Sequence, residues 1–194
     1  EKTENILKIK LGKFSPNLEG LEIVGEIKKN KIQPLPTRSE INEGYYKGKK
    51  MEIAWANSEV EAFFLQIQGS GILKLTDGRR IKVGYSGNNG HPYTSIGKIL
   101  VEQRKIEKEE LSMFSIMTWL KSNPSLARKI MEVNKRFIFF KLADNGPFGS
   151  AGIQLYPDIS VAVDPTFYPI GIPLIISQPN QKGLAKIVVA QDKG

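Results

Sequence analysis

Apolar and polar residues alternate on both sides of Asp77-Gly78, and this alternation predicts a β-hairpin over residues 71–87. The apolar positions are Leu73 and Leu75 before the turn and Ile81, Val83 and Tyr85 after it. An Asp-Gly pair between two such runs is typical of a tight type I′ turn, which we therefore predict at Asp77-Gly78.

Other short runs of apolar and β-branched residues predict further strands along the chain. They are LEIVGEI, KIQPLP, MEIAWA, AFFLQIQGS, RFIFFKL, SVAVDPTFYPIGIPLII and AKIVVAQDKG. The last two runs each lead into an aspartate, Asp164 and Asp192. Between them and the earlier part of the chain, ADNGPFGSAGIQLYPDI is rich in glycine, proline and small residues, which indicates a domain boundary or a crossover.

Helix signals occur at four places. Thr37, with Glu40 three residues later, predicts a capping box at the start of a short helix. Thr94 or Ser95 is expected to cap a helix over IGKILVEQ, with Ile96, Ile99 and Leu100 on its inner face.

Two more helices are predicted on either side of Asn123-Pro124. The first begins at Ser112 and carries Ile116, Trp119 and Leu120 at helical spacing. In the second, Asn123 is the cap and Pro124 the first residue, with Leu126, Ile130 and Val133 facing inward. We expect the tryptophan and methionine residues of this region to be part of a core.

Composition narrows the possible functions. The 194 residues suffice for one domain or two small ones with a substantial core, and no apolar run reaches the ~18 residues of a membrane helix. The absence of cysteine excludes disulfides and thiolate sites, and a single histidine excludes multi-histidine metal sites. The net charge of +8 favours an anionic partner, namely nucleic acid, acidic lipid or cell-wall polymer, or else serves solubility alone.

The stretch from Phe63 to Leu100 is dense in neutral hydrogen-bonding side chains but has one acid, Asp77. If AFFLQIQGS is a strand, Gln66 and Gln68 point to the same face. Sugars need many donors and acceptors, close backbone approach and flat rings. We predict a sugar-binding surface here; the alternative is a glycine-rich turn system that satisfies its own backbone. The predicted binding residues are Gln66, Gln68, Gly69, Ser70, Gly71, Tyr85, Asn88 and Tyr93.

Three titratable residues are candidates for proton transfer. Asp164 and Asp192 each follow an apolar strand, where partial burial would raise the pKa of a carboxyl group and suit it to general acid catalysis. The alternative is that each carboxylate accepts hydrogen bonds from loop amides. His91 precedes Pro92 and is expected in a turn, with a minor possibility of acting as a base.

Five of these segments together resemble the membrane-bound lytic transglycosylase A (MltA) family. They are LPTRSEI, FFLQIQGSG, VGYSGNNGHPYTSIGKIL, LSMFSIMTWL and SVAVDPTFYPIGIPL, in this order, and the resemblance extends from about Lys31 to the last residue. It implies a mainly β, α+β fold with two barrel-like domains and a deep cleft between them. Residues 1–140 would be the family-specific insert domain with a few helices. Residues 141–194 would be part of a double-psi β-barrel named for three aspartates.

The resemblance also implies an activity. The family cleaves the bond between N-acetylmuramic acid and N-acetylglucosamine in peptidoglycan and forms a 1,6-anhydromuramic product without water. A site poor in acids fits this chemistry, because the 6-hydroxyl of the substrate replaces the second carboxylate of a hydrolase. Peptidoglycan glycan strands are the expected partner, with other cell-wall enzymes as further candidates and no metal or organic cofactor.

The resemblance matches Asp164 and Asp192 to the first two family aspartates, as supporting acids. The third, the catalytic acid, has no counterpart before the chain ends at Gly194, and the chain begins at Glu1 without methionine. We therefore expect a piece of a longer protein, shortened at both ends, whose isolated activity is doubtful and whose catalytic residue is unknown. The alternatives are a non-catalytic peptidoglycan-binding module and a basic β-barrel that binds nucleic acid.

The resemblance implies a periplasmic protein at the outer membrane, attached only through a lipid anchor outside this chain. Nucleic acid is not an expected partner, because no RNA-recognition motif is visible and the aromatic residues do not interleave with arginines.

Overall fold

A computed structural model describes residues 6–18, 22–177 and 185–194. The α+β class predicted from the sequence is confirmed: the described strands form three sheets of three strands each, accompanied by five α-helices and three short 3₁₀ helices. Contacts divide the chain into two compact units. The first contains residues 1–69 and 85–140, and the second contains residues 70–84 and 141–194.

The first sheet is antiparallel and has the order β1-β2-β3. Its strands are β1 Ile6–Lys10, β2 Glu22–Lys28 and β3 Lys31–Pro34. This confirms the predicted strands LEIVGEI and KIQPLP, although Leu21 lies outside the described residues. Lys29 and Asn30 connect β2 to β3 with φ of 49° and 60°. Two central residues with positive φ are what a type I′ hairpin requires.

The first helix, α1 Arg38–Asn42, begins as predicted. The Thr37 side chain accepts a hydrogen bond from the Glu40 N–H, and the Glu40 carboxylate accepts one from the Thr37 N–H at 2.7 Å. Both reciprocal hydrogen bonds of the capping box are therefore present. The 3₁₀ helices span Leu11–Lys13, Pro16–Leu18 and Lys108–Glu110.

The predicted strand AFFLQIQGS is wrong, because the segment forms helix α2 Glu59–Gln68. The Ser58 side chain caps it by accepting from the Glu61 N–H, and Gly69 ends it in the left-handed region at φ 76°. Val60, Phe63 and Phe64 are buried at helical spacing. The cap that marks this helix is at Ser58, before the run AFFLQIQ that favoured a strand.

The predicted strand MEIAWA is also wrong. Residues 51–57 are irregular and exposed, and Trp55 retains 85% of its accessible surface. These residues have the alternation of a strand but no pairing partner among the described residues.

The predicted hairpin is confirmed, but its turn type is not. Strands β4 Gly71–Lys74 and β5 Arg80–Asn88 are antiparallel, with Leu73 opposite Ile81. Within the turn 75–79, which the structure describes fully, only Gly78 has positive φ, at 85°. The Gly78 N–H donates to the Leu75 carbonyl at 3.0 Å, so this is a three-residue turn with a left-handed glycine rather than type I′.

Three more helices complete the core of the first unit: α3 Ile96–Glu102, α4 Met113–Ser122 and α5 Pro124–Val133. Ser95 and Ser112 cap the first two, as predicted. The core formed by α2 to α5 consists of Val60, Phe63, Phe64, Ile96, Leu100, Ile106, Leu120, Ala127, Ile130 and Met131. No helix among the described residues has the length and apolar character to cross a bilayer.

Helix α5 differs in detail from its prediction. Leu126 and Val133 are 44% and 39% exposed, and Ala127 and Met131 are buried beside Ile130 instead. Asn123 is at the cap position, but its side chain donates to the Trp119 carbonyl and so completes the end of α4. The expected core role holds for Trp119, Met117 and Met131, which lie in or against the core, whereas Met113 is 52% exposed.

The remaining strands are β6 Ile138–Leu142, β7 Ser160–Val163, β8 Pro173–Ser177 and β9 Ala185–Lys193. Strand β6 completes the sheet β4-β5-β6 and confirms RFIFFKL as a strand. The third sheet has the order β7-β9-β8, in which β7 and β9 are parallel and β8 is antiparallel to β9. Val163, Val188 and Ala190 are its buried residues.

Candidate functional site

A buried amide, Asn89, joins three segments of the first unit. Its Nδ2 donates to the carbonyls of Pro36 at 2.8 Å and Lys135 at 2.9 Å, and its Oδ1 accepts from the Phe137 N–H at 2.8 Å. The side chain is only 1% exposed. Because every polar atom of the amide is used, the segment after β5 is held in one conformation.

Arg38 reinforces the same junction from the start of α1. It is 3% exposed, its Nε donates to the Asn134 carbonyl at 2.9 Å, and a terminal nitrogen donates to the Arg136 carbonyl at 2.5 Å. Its guanidinium lies 4.6 Å from the centroid of the Phe63 ring. Burial lowers the pKa of Arg38 to about 10, so it remains protonated at neutral pH.

His91 belongs to this junction. Its Nε2 lies 2.8 Å from the carbonyl oxygen of Leu35. A carbonyl can only accept, so Nε2 carries the hydrogen and donates it. His91 lies in a loop, as predicted, and its Nε2 is engaged in fixing the segment before α1.

Tyr85 and Asn88 form the clearest polar feature at the surface above this junction. Asn88 Nδ2 donates to the Tyr85 hydroxyl at 2.7 Å, and Asn88 Oδ1 accepts from the Gly90 N–H at 2.8 Å. Asn88 is buried, whereas Tyr85 is 44% exposed. The Tyr85 oxygen accepts this hydrogen bond, and among the described residues its own O–H donates to no partner.

The loop after Asn88 requires its glycine. Gly90 has φ of +78°, and a Cβ there would lie 3.0 Å from the Val24 carbonyl on β2. The same loop leads to Tyr93, which is 54% exposed, and the Thr94 N–H is bound to the Asn134 side chain at 3.2 Å. Tyr93 thus extends from a fixed backbone.

The two glutamines do not share a face. In helix α2, residues two apart are separated by about 200° around the axis, so the prediction from a strand is wrong. Gln66 is half-buried and its Oε1 accepts from the Ile138 N–H at 3.4 Å, whereas Gln68 is exposed, with Nε2 3.3 Å from Met113 Sδ. Of these two side chains, Gln68 is the exposed one.

Gly69 and Ser70 connect α2 to β4, whose first residue is Gly71. Gly69 provides the left-handed residue that ends the helix, and a Cβ there would have no heavy atom within 4 Å. Gly69 belongs to the first unit, and Ser70 and Gly71 belong to the second.

Asp164 follows β7 and fixes its own turn. Its Oδ1 accepts from the Thr166 N–H at 2.8 Å and from the Thr166 hydroxyl at 2.6 Å. The side-chain hydrogen bond from Thr166, helped by the backbone one, lowers the pKa of Asp164 below its ordinary value. The expected raised pKa is therefore wrong, and the loop-fixing alternative applies to this residue.

Asp192 lies near the end of β9, opposite Ala162 on the parallel strand β7. Asp164 comes directly after β7, two residues beyond Ala162, so both aspartates lie at the carboxyl ends of the parallel strands β7 and β9. Asp192 Oδ1 accepts from the Ser150 N–H at 2.9 Å and from the Lys193 N–H at 2.8 Å. It also borders a mostly apolar cavity of about 350 Å³ within the second unit.

Sequence reasoning did not select Arg38, Asn89 or Asn134, although they are among the few buried polar residues of the described chain. Their signal was weak: Arg38 lies inside a capping box, Asn89 precedes Gly90 as in an exposed turn, and Asn134 stands between Val133 and Lys135 with no local pattern. Within the described residues, no group of three or more His, Asp or Glu side chains is placed to hold a metal ion.

A family model described as "MltA specific insert domain" matches residues 2–141. The chain belongs to the MltA family. A "Membrane-bound lytic murein transglycosylase A" of Vibrio cholerae is 37% identical over 147 residues, covering 74% of this chain and 40% of that protein. The Escherichia coli K12 protein of the same name is 35% identical over 148 residues, covering 75% and 40%. The chain thus spans about 40% of the length of these curated MltA relatives.

Solved structures give the same family. The crystal structure of a membrane-bound lytic murein transglycosylase from Agrobacterium tumefaciens has a TM-score of 0.85 and 27% identity, covering all of this chain and 56% of that one. Escherichia coli MltA with bound chitohexaose has a TM-score of 0.67 and 32% identity, covering 82% and 51%. The described fold is therefore that of MltA proteins.

Proposed function

We propose that this chain is the glycan-holding part of a peptidoglycan lytic transglycosylase. The observation that carries the proposal is the Asn88–Tyr85 pair, in which a buried amide fixes an exposed tyrosine whose hydroxyl hydrogen is available. A neutral donor beside a flat ring suits the hydroxyl and apolar faces of a sugar. Membership of the MltA family supports it, as does the chitohexaose bound in the Escherichia coli protein.

We also propose the domain division that the resemblance implies. Residues 1–140 would be the MltA-specific insert, in agreement with the family model over residues 2–141. Residues 141–194 would belong to the three-aspartate double-psi β-barrel. The glycan-holding residues Gln68, Tyr85, Asn88 and Tyr93 are in the first of these regions, and Asp164 and Asp192 are in the second.

The proposed reaction forms a 1,6-anhydro bond within the muramic acid residue. An aspartic acid protonates the glycosidic oxygen as its bond to C1 breaks, and the 6-hydroxyl oxygen of the same sugar bonds to C1. The resulting carboxylate accepts the proton from that hydroxyl, so no water enters. Asp164 and Asp192 act as supporting acids that fix loops, because both accept main-chain N–H bonds. The neutral binding residues hold the glycan in a reactive geometry.

The cell envelope is the proposed location. The relatives named above are called membrane-bound and are named for murein, which supports a location in the cell envelope. We further propose a periplasmic position at the outer membrane, as the family resemblance implies, with peptidoglycan strands as partner and other cell-wall enzymes as further candidates.

Mass spectrometry of the products released from purified sacculi tests this function. Anhydro-muropeptides support a lytic transglycosylase, whereas products with reducing ends indicate a hydrolase and contradict the proposal. If no product forms, sedimentation of the protein with sacculi separates a glycan-binding module from a protein with no affinity for the wall.

A tyrosine variant tests the binding residue that carries the proposal. Tyr85→Phe is expected to weaken chitohexaose binding about tenfold, since a neutral hydrogen bond to a ligand contributes about 1 kcal/mol and Asn88 also loses its acceptor. The control is Tyr156→Phe, because Tyr156 is 51% exposed in the other unit. Equal affinity of Y85F and wild type would remove Tyr85 from the site.

A further inference from the structure

Two lysine-rich turns of the first unit meet at one tyrosine. The β2–β3 turn carries Lys28, Lys29 and Lys31, and the loop after α1 carries Lys47, Lys49 and Lys50. Lys28 Nζ lies 5.2 Å and Lys49 Nζ 4.7 Å from the centroid of the Tyr45 ring. Lys28 and Lys49 therefore meet at Tyr45, and the six exposed lysines of the two turns are here called the Tyr45 lysine cluster.

The charge of this cluster is almost uncompensated. Lys28 is paired with Glu26, which also accepts from the Tyr45 hydroxyl at 3.0 Å. Among the described residues, the other five lysines form no ion pair within 4.0 Å, and neither the segment 28–31 nor the segment 44–50 contains an acid. Glu43 and Glu52 lie just outside the loop. Like charges this close repel one another, so an anionic partner stabilises the arrangement.

Exposed apolar residues follow the cluster directly. Met51 is 51%, Ile53 38% and Trp55 85% exposed, within an irregular segment that begins one residue after Lys50. Tyr45 and Tyr46 are half-buried beneath the lysines, with their rings 5.0 Å apart. The surface thus combines ammonium groups with a largely exposed indole and two partly exposed apolar side chains.

We propose that the Tyr45 lysine cluster and the segment 51–55 dock on the surface of an anionic lipid bilayer. Clusters of four to eight lysines bind acidic head groups, and tryptophan prefers the boundary between head groups and acyl chains. The carboxylates of a hydrated cell-wall polymer would satisfy the lysines but give Met51, Ile53 and Trp55 nothing apolar to enter. The combined charge and apolar exposure therefore favour lipid.

This surface goes beyond the proposed glycan site and does not depend on it. It shares no residue with Gln68, Tyr85, Asn88 or Tyr93, so loss of vesicle binding and loss of glycan binding are separately measurable. It also differs from attachment by a lipid anchor, because the contact is made by side chains of the folded unit and is sensitive to salt.

Vesicle binding with tryptophan fluorescence tests the proposal. The chain has two tryptophans, and Trp119 packs against the helical core, so Trp119→Phe leaves Trp55 as the reporter. Vesicles of phosphatidylethanolamine and phosphatidylglycerol are expected to bind the W119F protein, with a blue shift of Trp55 emission and quenching by brominated acyl chains. Phosphatidylcholine vesicles are expected to bind weakly, and added salt should weaken the anionic binding.

Charge-matched variants identify the surface. In the W119F background, K47Q/K49Q/K50Q is expected to bind anionic vesicles ~100-fold more weakly, since each lysine near such a bilayer contributes about 1 kcal/mol and 1.4 kcal/mol is a factor of ten. The control K98Q/K105Q/K108Q removes the same charge at exposed positions on and after α3 and should leave binding nearly unchanged. Circular dichroism checks that both variants fold.

Three outcomes would overturn the proposal. Equal weakening in both triple variants would mean that net charge alone drives binding. Vesicle binding without a change in Trp55 emission would remove segment 51–55 from the contact. Absence of vesicle binding, with binding to sacculi that depends on Lys47, Lys49 and Lys50, would make the partner a cell-wall carboxylate.

Discussion

Asn89 and Phe137 exchange two hydrogen bonds, one through the main chain of Asn89 and one through its side chain. The Asn89 N–H donates to the Phe137 carbonyl at 3.1 Å, and the Phe137 N–H donates to Asn89 Oδ1 at 2.8 Å. This pair holds the loop that follows β5 against the start of β6. The position of Asn88 and Tyr93, on either side of that loop, therefore depends on an amide that contacts no ligand.

Replacement of Asn89 should affect stability and binding together. Asn89→Ala removes the side-chain partner of the Pro36 carbonyl and of the Phe137 N–H, while the Lys135 carbonyl keeps its bond from the Arg38 N–H. We therefore expect a loss of about 2–3 kcal/mol in the free energy of unfolding, with weaker glycan binding. Urea denaturation measures the first and calorimetry with chitohexaose the second. Asn42→Ala, which removes one exposed bond to Glu132, is the control and should cost less than about 1 kcal/mol. Similar losses in both variants would contradict the role assigned to Asn89.

Arg38 should resist conservative replacement. Lysine keeps the positive charge but cannot stack on Phe63 or donate in the same plane to the carbonyls of Asn134 and Arg136. We expect Arg38→Lys to lower the free energy of unfolding by about 2–4 kcal/mol, as for other disrupted buried charges. Arg80→Lys, at an exposed position, should change it by less than about 0.5 kcal/mol. A stability of R38K equal to that of R80K would show that charge alone is needed.

Local signals predicted much of this fold. The helices α1, α3 and α4 were found from their caps, because a hydroxyl that accepts a main-chain N–H is a local interaction. Strands β4 and β5 were found from alternation. Helix α2 differs from its prediction because the apolar run AFFLQIQ favours a strand, whereas the Ser58 cap and the helical spacing of Val60, Phe63 and Phe64 specify a helix.

Hydrogen bonds between residues far apart in the chain could not be predicted from the sequence. Asn89 and Arg38 are buried because partners 46 and 96 residues away supply carbonyls, and no local pattern shows such pairing. The exposed residues of the candidate site were easier to predict from the sequence. Composition indicated Tyr85, Asn88 and Tyr93, and in the structure Asn88 and Tyr85 are in contact. Gln66 and Gln68 were predicted from the two-residue period of a strand, but the segment is helical and of the two only Gln68 is exposed.

The two glutamines provide a matched pair for testing the site. Gln68→Ala should weaken glycan binding about three- to tenfold while leaving stability unchanged, since Gln68 is exposed near the end of α2. Gln66→Ala should instead lower the free energy of unfolding by about 1 kcal/mol, because it removes the acceptor for the Ile138 N–H. Calorimetry and urea denaturation of both variants measure the two effects. The reverse pattern would return Gln66 to the site and remove Gln68.

Gly149 controls the position of Asp192. A Cβ at Gly149 would overlap the Gln191 carbonyl and lie 2.8 Å from Leu155 Cδ2. Gly149→Ala should therefore displace the end of β9, break the bond from the Ser150 N–H to Asp192 and destabilise the second unit by about 1–3 kcal/mol. Gly152→Ala is the control for backbone strain without steric overlap, because Gly152 has φ of +73° but no heavy atom within 4 Å of a Cβ. The amide chemical shifts of Ser150 and Lys193 should change in G149A and remain the same in G152A. Unchanged shifts in both variants would contradict the close contact between Gly149 and the Gln191 carbonyl.

The Asp164 turn predicts a pH dependence with a definite sign. The pKa of Asp164 is lowered in the folded protein, so its contribution to stability is present above the ordinary carboxyl range and is lost as pH falls through the folded pKa. Thr166→Ala removes the side-chain donor but keeps the main-chain N–H, so the pKa should rise towards its ordinary value without reaching it. Carboxyl-carbon NMR measures this directly, and Thr76→Ala, at an exposed position in the β4–β5 turn, should leave Asp164 unchanged. A folded pKa above the ordinary range would restore Asp164 as a candidate general acid, because only a carboxyl group that retains its proton near neutral pH can donate it to a glycosidic oxygen.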